Sequence, residues 1–312
     1  MRAILINEPG HFEVISMDIP EPKSDEILVE IKALSLCNQH DWKVNKGLYR
    51  ENSYLEYGIP GFPGHEGAGI VAAVGENVKN FEVGDHVALS GLGGPPLYAE
   101  YVTRKPDSVA VVNKQLPLEY VAMAELFGCV HRAVRKVDSY RGKRVLVSGC
   151  GPAGLAAIQF AKIFGAKEIT ATDVKLGRLA LARELGADEI TDAENEDQIS
   201  WLKNKGVDIV IETSGNKTAL VNGLQMAREA AVIFSYNEGT VQLPMWNLFD
   251  HEVTIYNSKW LTTEDLQHVV NYIEKGKLHT APLISVVVDF SRYPEAVEMI
   301  GRGDAVKIIM VP

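Results

Sequence analysis

Arg144-Val145-Leu146-Val147-Ser148-Gly149-Cys150-Gly151-Pro152-Ala153-Gly154 is the stretch on which the reading of the fold turns. A short apolar strand runs into three glycines spaced GxGxxG, and a helical run, Leu155–Phe164, follows. The next expected strand, Glu168–Asp173, ends on a carboxylate 19 residues after Gly154. Strand, glycine turn, helix, strand and acid in that order form the context in which this pattern binds a dinucleotide. The first glycine permits the tight turn, the second lets the backbone approach a pyrophosphate, and the third lets helix and strand pack closely. Gly149, Gly151, Pro152, Ala153 and Gly154 are therefore the candidate phosphate cradle, with a helix N-terminus facing the anion. Asp173 is the candidate partner of the adenosine ribose hydroxyls; it repels a 2′-phosphate and so predicts NAD over NADP. Arg178, five residues on, is read either over the adenosine edge or as a solvated helix charge. Cys150 reads as a small packing residue.

The grammar on either side of this stretch differs. Downstream, strands are expected at Val207–Glu212, Ala230–Ser235 and Val253–Tyr256. Helical segments at Leu176–Leu185, around Gln198–Lys205 and at Lys217–Arg228 separate them. That alternation predicts a parallel sheet with helices on its faces. Upstream, seven short runs from Arg2–Ile6 to Ser108–Val112 are punctuated by Gly, Pro and Asp, which predicts a β-rich barrel or sandwich. A helix over Glu119–Val137 joins the two regions. The tail reads as helix Glu264–Lys275, strand Ile284–Asp289, helix Tyr293–Ile300 and strand Ala305–Met310.

A chain of 312 residues gives about two domains as a prior. With 46% hydrophobic and 23% charged residues it is not a disordered chain. A net charge of −10 makes nucleic acid and anionic membrane poor partners. Three cysteines make no disulfide framework, which fits a reducing compartment. No apolar window has the length of a membrane span, and the start lacks the apolar core of a signal peptide. The expected location is the cytoplasm.

The sharpest chemical signal lies in the β-rich third. Gly64-His65-Glu66-Gly67-Ala68-Gly69 precedes an apolar strand, with Gly75 and Val78 beyond, and Cys37 stands 28 residues before His65. A thiolate, an imidazole and a carboxylate together suit a tetrahedral zinc site, and one open position makes such a site catalytic.

Cys37, the signature from Gly64 to Val78, the Val83-Gly84-Asp85-His86-Val87 turn, and Gly149–Gly154 with Asp173 together resemble the zinc-dependent medium-chain dehydrogenase/reductases, the alcohol and polyol dehydrogenase superfamily. The resemblance covers essentially the whole chain. It implies a GroES-like catalytic domain over residues 1–125 and 257–312, and a Rossmann dinucleotide-binding domain over 126–256. It implies hydride transfer between NAD(H) and a secondary alcohol, polyol or sugar alcohol and its carbonyl counterpart, in a homodimer or homotetramer. Cys37 and His65 become zinc ligands, and Glu66 either a ligand or the carboxylate that exchanges with bound water. Ala124-Glu125-Leu126 resembles the polyol-type Glu-Pro-Leu segment, which assigns the third ligand to Glu125 rather than to Cys129. Cys129 aligns with the wall against the nicotinamide, or is a small buried helix residue. Asp41 resembles the aspartate that orients the zinc histidine.

Three departures from the family pattern matter. The four-cysteine lobe of many relatives is replaced by the cysteine-free Ser90–Leu97, so one catalytic zinc and no structural zinc is expected. The chain is short for the family. Gln39 stands where a relay hydroxyl is usual, and Asp41 comes four residues after Cys37 instead of three. His40 then takes the relay position; the other readings are packing behind the site or zinc ligation. Trp42, Tyr49, Tyr54 and Tyr57 are candidate entrance aromatics or ordinary surface residues. A zinc-free quinone or enoyl reductase and a non-catalytic NAD-binding protein are the competing readings.

Overall fold

Residues 1–48, 56–236 and 239–312 are described by the structure, a computed structural model. The chain forms two compact units. The first comprises residues 1–126, 263–276 and 280–312, and the second 127–262 and 277–279. The sequence placed the breaks after residues 125 and 256. The segment after 256 stays with the second unit because Arg132 and Lys136 donate to the carbonyls of Lys259 and Asn257, and Leu261 packs on Gly128. Residues 277–279 join it through Gln159, whose side chain donates to the His279 carbonyl and accepts from the His279 amide.

The first unit holds β1 (Arg2–Glu8), β2 (His11–Ser16), β3 (Ile27–Ser35), β4 (Glu66–Val74), β5 (His86–Ser90), β6 (Tyr101–Arg104) and β7 (Val109–Val112). The second holds β8 (Arg144–Ser148), β9 (Glu168–Asp173), β10 (Glu189–Asp192), β11 (Val207–Glu212), β12 (Ala227–Ile233) and β13 (Thr254–Asn257). The chain then returns to the first unit with β14 (Ile284–Asp289) and β15 (Lys307–Val311).

β1 and β2 form an antiparallel hairpin, and a larger sheet runs β14-β15-β3-β4-β5-β7 with β6 also paired to β3. This is the β-rich GroES-like unit. β3, Ile-Leu-Val-Glu-Ile-Lys-Ala-Leu-Ser, is its centre, and its burial is nearly continuous because strands flank it on both edges. Its side chains join a core with Ile4, Val71, Leu89, Val297 and Ile308. The register places Leu34 opposite Gly67 of β4 and Met310 of β15. The end of β3 and the starts of β4 and β15 therefore meet at one end of the sheet, where Ser35, Glu66 and Lys307 fall.

In the second unit the strands run β10-β9-β8-β11-β12-β13, all parallel. Numbered within the unit this is the order 3-2-1-4-5-6 of the Rossmann fold, with the reversal between β8 and β11. The helix Pro152–Ile163 is almost wholly buried, and Pro152 at its first turn forfeits an amide that helix geometry leaves unpaired there anyway. Two local expectations change. The joining helix is two pieces, Leu118–Val121 and Ala124–Val134. The short strand β10 and the helix Met245–Asp250 were not foreseen, their runs being too short for periodicity to register. Among the described residues no helix is long and apolar enough to cross a membrane.

Candidate functional site

Cys37 follows β3, His65 immediately precedes β4 and Glu66 opens it, so two neighbouring strands deliver a thiol, an imidazole and a carboxylate to one point. Their donor atoms lie within 4.8 Å of one another. His65 Nδ1 meets the Pro63 carbonyl at 2.9 Å, which leaves Nε2 facing Cys37 and, at 4.0 Å, Glu66 Oε1. Burial works against a charged His65. The Cys37 sulfur, which shares a hydrogen bond with it, and the Glu125 and Glu66 carboxylates outweigh burial and raise its pKa well above the ordinary range. A cluster of anionic donors that draws a proton onto an imidazole draws a divalent cation for the same reason. The donor set fits zinc, for which thiolate, imidazole and carboxylate are the usual ligands.

Glu125 stands in the first turn of Ala124–Val134 and is only 8% exposed. It lies outside the trio of Cys37, His65 and Glu66, close enough to act on the charge of His65.

Glu66 is anchored from behind. Ser35 Oγ donates to its Oε2 at 2.8 Å, and Lys307 Nζ donates to Oε1 at 3.0 Å and to Oε2 at 2.7 Å. Lys307 also donates to the Leu36 carbonyl at 2.8 Å and has no solvent exposure. Sequence reasoning missed Lys307; its signal was a lone cation in an otherwise apolar strand.

Asp41 is fully buried, and its expected role is corrected. Its Oδ2 accepts from the backbone amide of Cys37 at 2.9 Å and its Oδ1 from the Tyr98 hydroxyl at 2.8 Å, whereas the His65 ring is oriented by the Pro63 carbonyl. Asp41 thus orients the cysteine loop instead of the histidine. Burial pushes its carboxyl up to about 6, against the opposing pull of His65, Tyr98, Tyr293 and the Cys37 amide.

His40 opens the helix His40–Lys46 and packs edge-on against the His65 ring, centroids 5.1 Å apart, and against Phe62 at 5.9 Å. Burial, and then the charge of His65, push its imidazole down to about 3, with the Pro63 carbonyl opposing. Its contact with the His65 ring and its lowered pKa in the metal-free site favour the packing reading over the relay. Trp42 and Tyr57 are packing residues. Trp42 lies against Gly301 and under Lys46, and Tyr57 donates to the Val44 carbonyl at 2.7 Å. Tyr49 and Tyr54 lie outside the described residues.

In the second unit each glycine of the turn has a visible reason. Gly149 adopts φ +92°, and a Cβ there would sit 2.7 Å from Ser214 Cα. A Cβ on Gly154 would collide with the Gly149 carbonyl, so helix and turn close only over glycine. Gly151 faces open space, as a backbone that must receive a pyrophosphate requires. Asp173, 8% exposed at the end of β9, accepts from the amides of Cys150 at 2.7 Å and Lys175 at 2.8 Å. Arg178 lies on the next helix, Leu176–Glu184, and its charge acts on Cys150. Cys150 is buried, its thiol pushed up to about 12 by burial and then by Asp173, which fits its reading as packing. Cys129 is also buried. The cradle and the carboxylate fit a dinucleotide.

Comparison with known proteins agrees with this geometry. The family model described as an alcohol dehydrogenase GroES-like domain matches residues 23–114, and that described as a zinc-binding dehydrogenase matches 152–275. The sorbitol dehydrogenase of Bacillus subtilis strain 168 is 25% identical over 347 aligned positions, covering 100% of this chain and 97% of that protein. An L-threonine 3-dehydrogenase of Pyrococcus horikoshii is 28% identical over 356 positions, with 100% and 98% covered. The crystal structure of 2R,3R-butanediol dehydrogenase from Bacillus subtilis has the same fold, with a TM-score of 0.90, 22% identity and 100% and 99% of the chains covered. The protein is an oxidoreductase of the alcohol and polyol class. The chain belongs to the zinc-type medium-chain dehydrogenase/reductase family.

Proposed function

We propose that the chain transfers a hydride between a secondary alcohol, polyol or sugar alcohol and NAD, using one zinc ion held by Cys37, His65 and Glu125, with Glu66 as a further ligand or as the carboxylate that exchanges with bound water. The observation that carries this reading is the cluster of Cys37, His65 and Glu66, where Cys37, Glu125 and Glu66 together raise the proton affinity of His65. Zinc supplies Lewis acidity that eases loss of the alcohol proton, and the nicotinamide supplies the hydride acceptor. The residues supply the rest. Asp41 fixes the Cys37 amide, the Pro63 carbonyl fixes the ring of His65, and Lys307 with Ser35 fixes the Glu66 carboxylate. His40 packs edge-on against the His65 ring, and Cys129 lies against the nicotinamide. Asp173 takes the adenosine ribose and Arg178 the edge of the adenosine.

The glutamate at the third ligand position is the polyol-type arrangement, and the relatives include a sorbitol dehydrogenase, which favours polyols over ethanol as substrates. A cytoplasmic homodimer or homotetramer completes the proposal. The test is a panel of alcohols, polyols and sugar alcohols with NAD on protein of measured zinc content. Turnover that tracks zinc at one ion per chain supports the reading. Full activity without zinc points to a zinc-free reductase, and NAD binding without turnover on any substrate points to a non-catalytic protein.

A further inference from the structure

Glu212 ends β11, at the place in the second sheet where the strand order reverses, and it is only 1% exposed. Its Oε1 accepts from the Ser214 amide at 2.8 Å and from the Ser214 hydroxyl, and its Oε2 accepts from the Ser235 hydroxyl. Among the described residues no lysine, arginine or histidine pairs with it. It is a buried carboxylate stabilised by neutral donors alone, at the carboxyl ends of the strands where a ligand of this fold sits. The loop that holds it touches the phosphate turn. Thr213 Oγ1 donates to the carbonyls of Ser148 at 3.0 Å and Gly149 at 2.8 Å, and Ser214 backs Gly149.

The position of Glu212 relative to Asp173 gives it a direction. Asp173 closes β9 on one side of the reversal and takes the adenosine end of a dinucleotide, with the pyrophosphate over Gly151. The other nucleotide then lies on the side of β11 and β12, where Glu212 and Ser235 stand. The nicotinamide ring carries a positive charge when oxidised and none when reduced. A carboxylate without a cationic partner interacts with that charge through a poorly screened medium.

We infer that Glu212 is a specificity-determining residue for the redox state of the cofactor, its unpaired carboxylate favouring NAD⁺ over NADH at this site. The inference rests on the NAD-binding reading and deepens it. It assigns the side chain no part in the chemistry of the alcohol; its effect is on which form of the cofactor is held.

The experiment measures equilibrium binding of NAD⁺, NADH and ADP-ribose to the full chain, by calorimetry and by the fluorescence of the reduced nicotinamide. Glu212→Gln keeps the shape and removes the charge. It should raise the ratio Kd(NAD⁺)/Kd(NADH) about three- to tenfold, with ADP-ribose affinity changed less than about twofold. Ser235→Ala takes a donor from the carboxylate and leaves its charge less neutralised, so it should lower the same ratio. It supplies the reading if the glutamine variant does not fold. An unchanged ratio in Glu212→Gln, an equal loss of ADP-ribose affinity, or a ratio that fails to fall in Ser235→Ala overturns the inference. Wild-type protein that binds neither dinucleotide nor ADP-ribose fails the functional reading itself, and the two failures are distinguishable.

Discussion

Lys307 Nζ lies 2.7 Å from Glu66 Oε2, with the lysine side chain 0% and the glutamate side chain 1% exposed. An ion pair this deep is costly to break from one side, because the surviving charge remains buried without a partner. Lys307→Met should destabilise the first unit by about 3–5 kcal/mol. Adding Glu66→Gln should restore much of that loss. Urea unfolding of the two single variants and the double variant closes the cycle; additive losses would mean that the pair is not coupled.

Cys37→Ala should abolish turnover and lower zinc content while NAD affinity stays within about twofold, because the dinucleotide cradle belongs to the second unit. Elemental analysis and NADH fluorescence titration read the two effects separately. Loss of cofactor binding together with zinc would contradict the assignment.

Zinc binding should expel a proton from His65. In the metal-free protein Cys37, Glu125 and Glu66 keep that imidazole protonated at neutral pH in spite of burial. Zinc needs the neutral ring, so apparent affinity must rise with pH and fall as the solution is acidified. Competition with a chromophoric chelator between about pH 6.5 and about pH 8.5 reads this slope. A flat profile would mean that His65 is already neutral in the metal-free protein.

Asp173→Asn should weaken NAD by about tenfold in kcat/KM and narrow its advantage over NADP, since it removes the charge that repels a 2′-phosphate. The amide retains one acceptor oxygen where Cys150 and Lys175 use two, so a modest loss of stability should accompany it. An unchanged cofactor ratio would assign the discrimination to another residue.

His40, held neutral by burial and by His65, should contribute by packing. His40→Phe should preserve the ring contact and keep kcat within about threefold, whereas His40→Ala should loosen zinc. A pH–rate profile that loses a limb in the phenylalanine variant would restore the relay role.

Much of this architecture was legible because it repeats locally. GxGxxG after an apolar strand, with an acid at the end of the next strand, specifies a turn whose steric reasons are confined to about ten neighbouring residues; Gly149 and Gly154 satisfy them directly. Gly64-His65-Glu66 was legible for the same reason. The surroundings of those residues were not. Lys307 reaches Glu66 across 241 positions of sequence, and only the pairing of β15 with β3 brings them together. The partner of Asp41 was misread because spacing shows that an acid stands near a cysteine and a histidine without showing which one it faces. The titration of His40 depends on enclosure by Phe62 and His65, and no pattern along the chain reports enclosure.

The long reach from Glu66 to Lys307 also orders events during synthesis. Cys37, His65, Glu66 and Glu125 leave the ribosome before any part of the parallel sheet, and the strand carrying Lys307 follows only after that sheet has been made. A nascent chain can therefore present a complete set of metal donors while the counter-charge of Glu66 is still missing. During that interval Ser35 is the only one of the two anchors of Glu66 yet made, so a metal can reach the donors before the ion pair forms. A bound ion would preorganise the end of β3 and the start of β4 for the late docking of β15, making metallation a step in folding as well as a requirement for turnover.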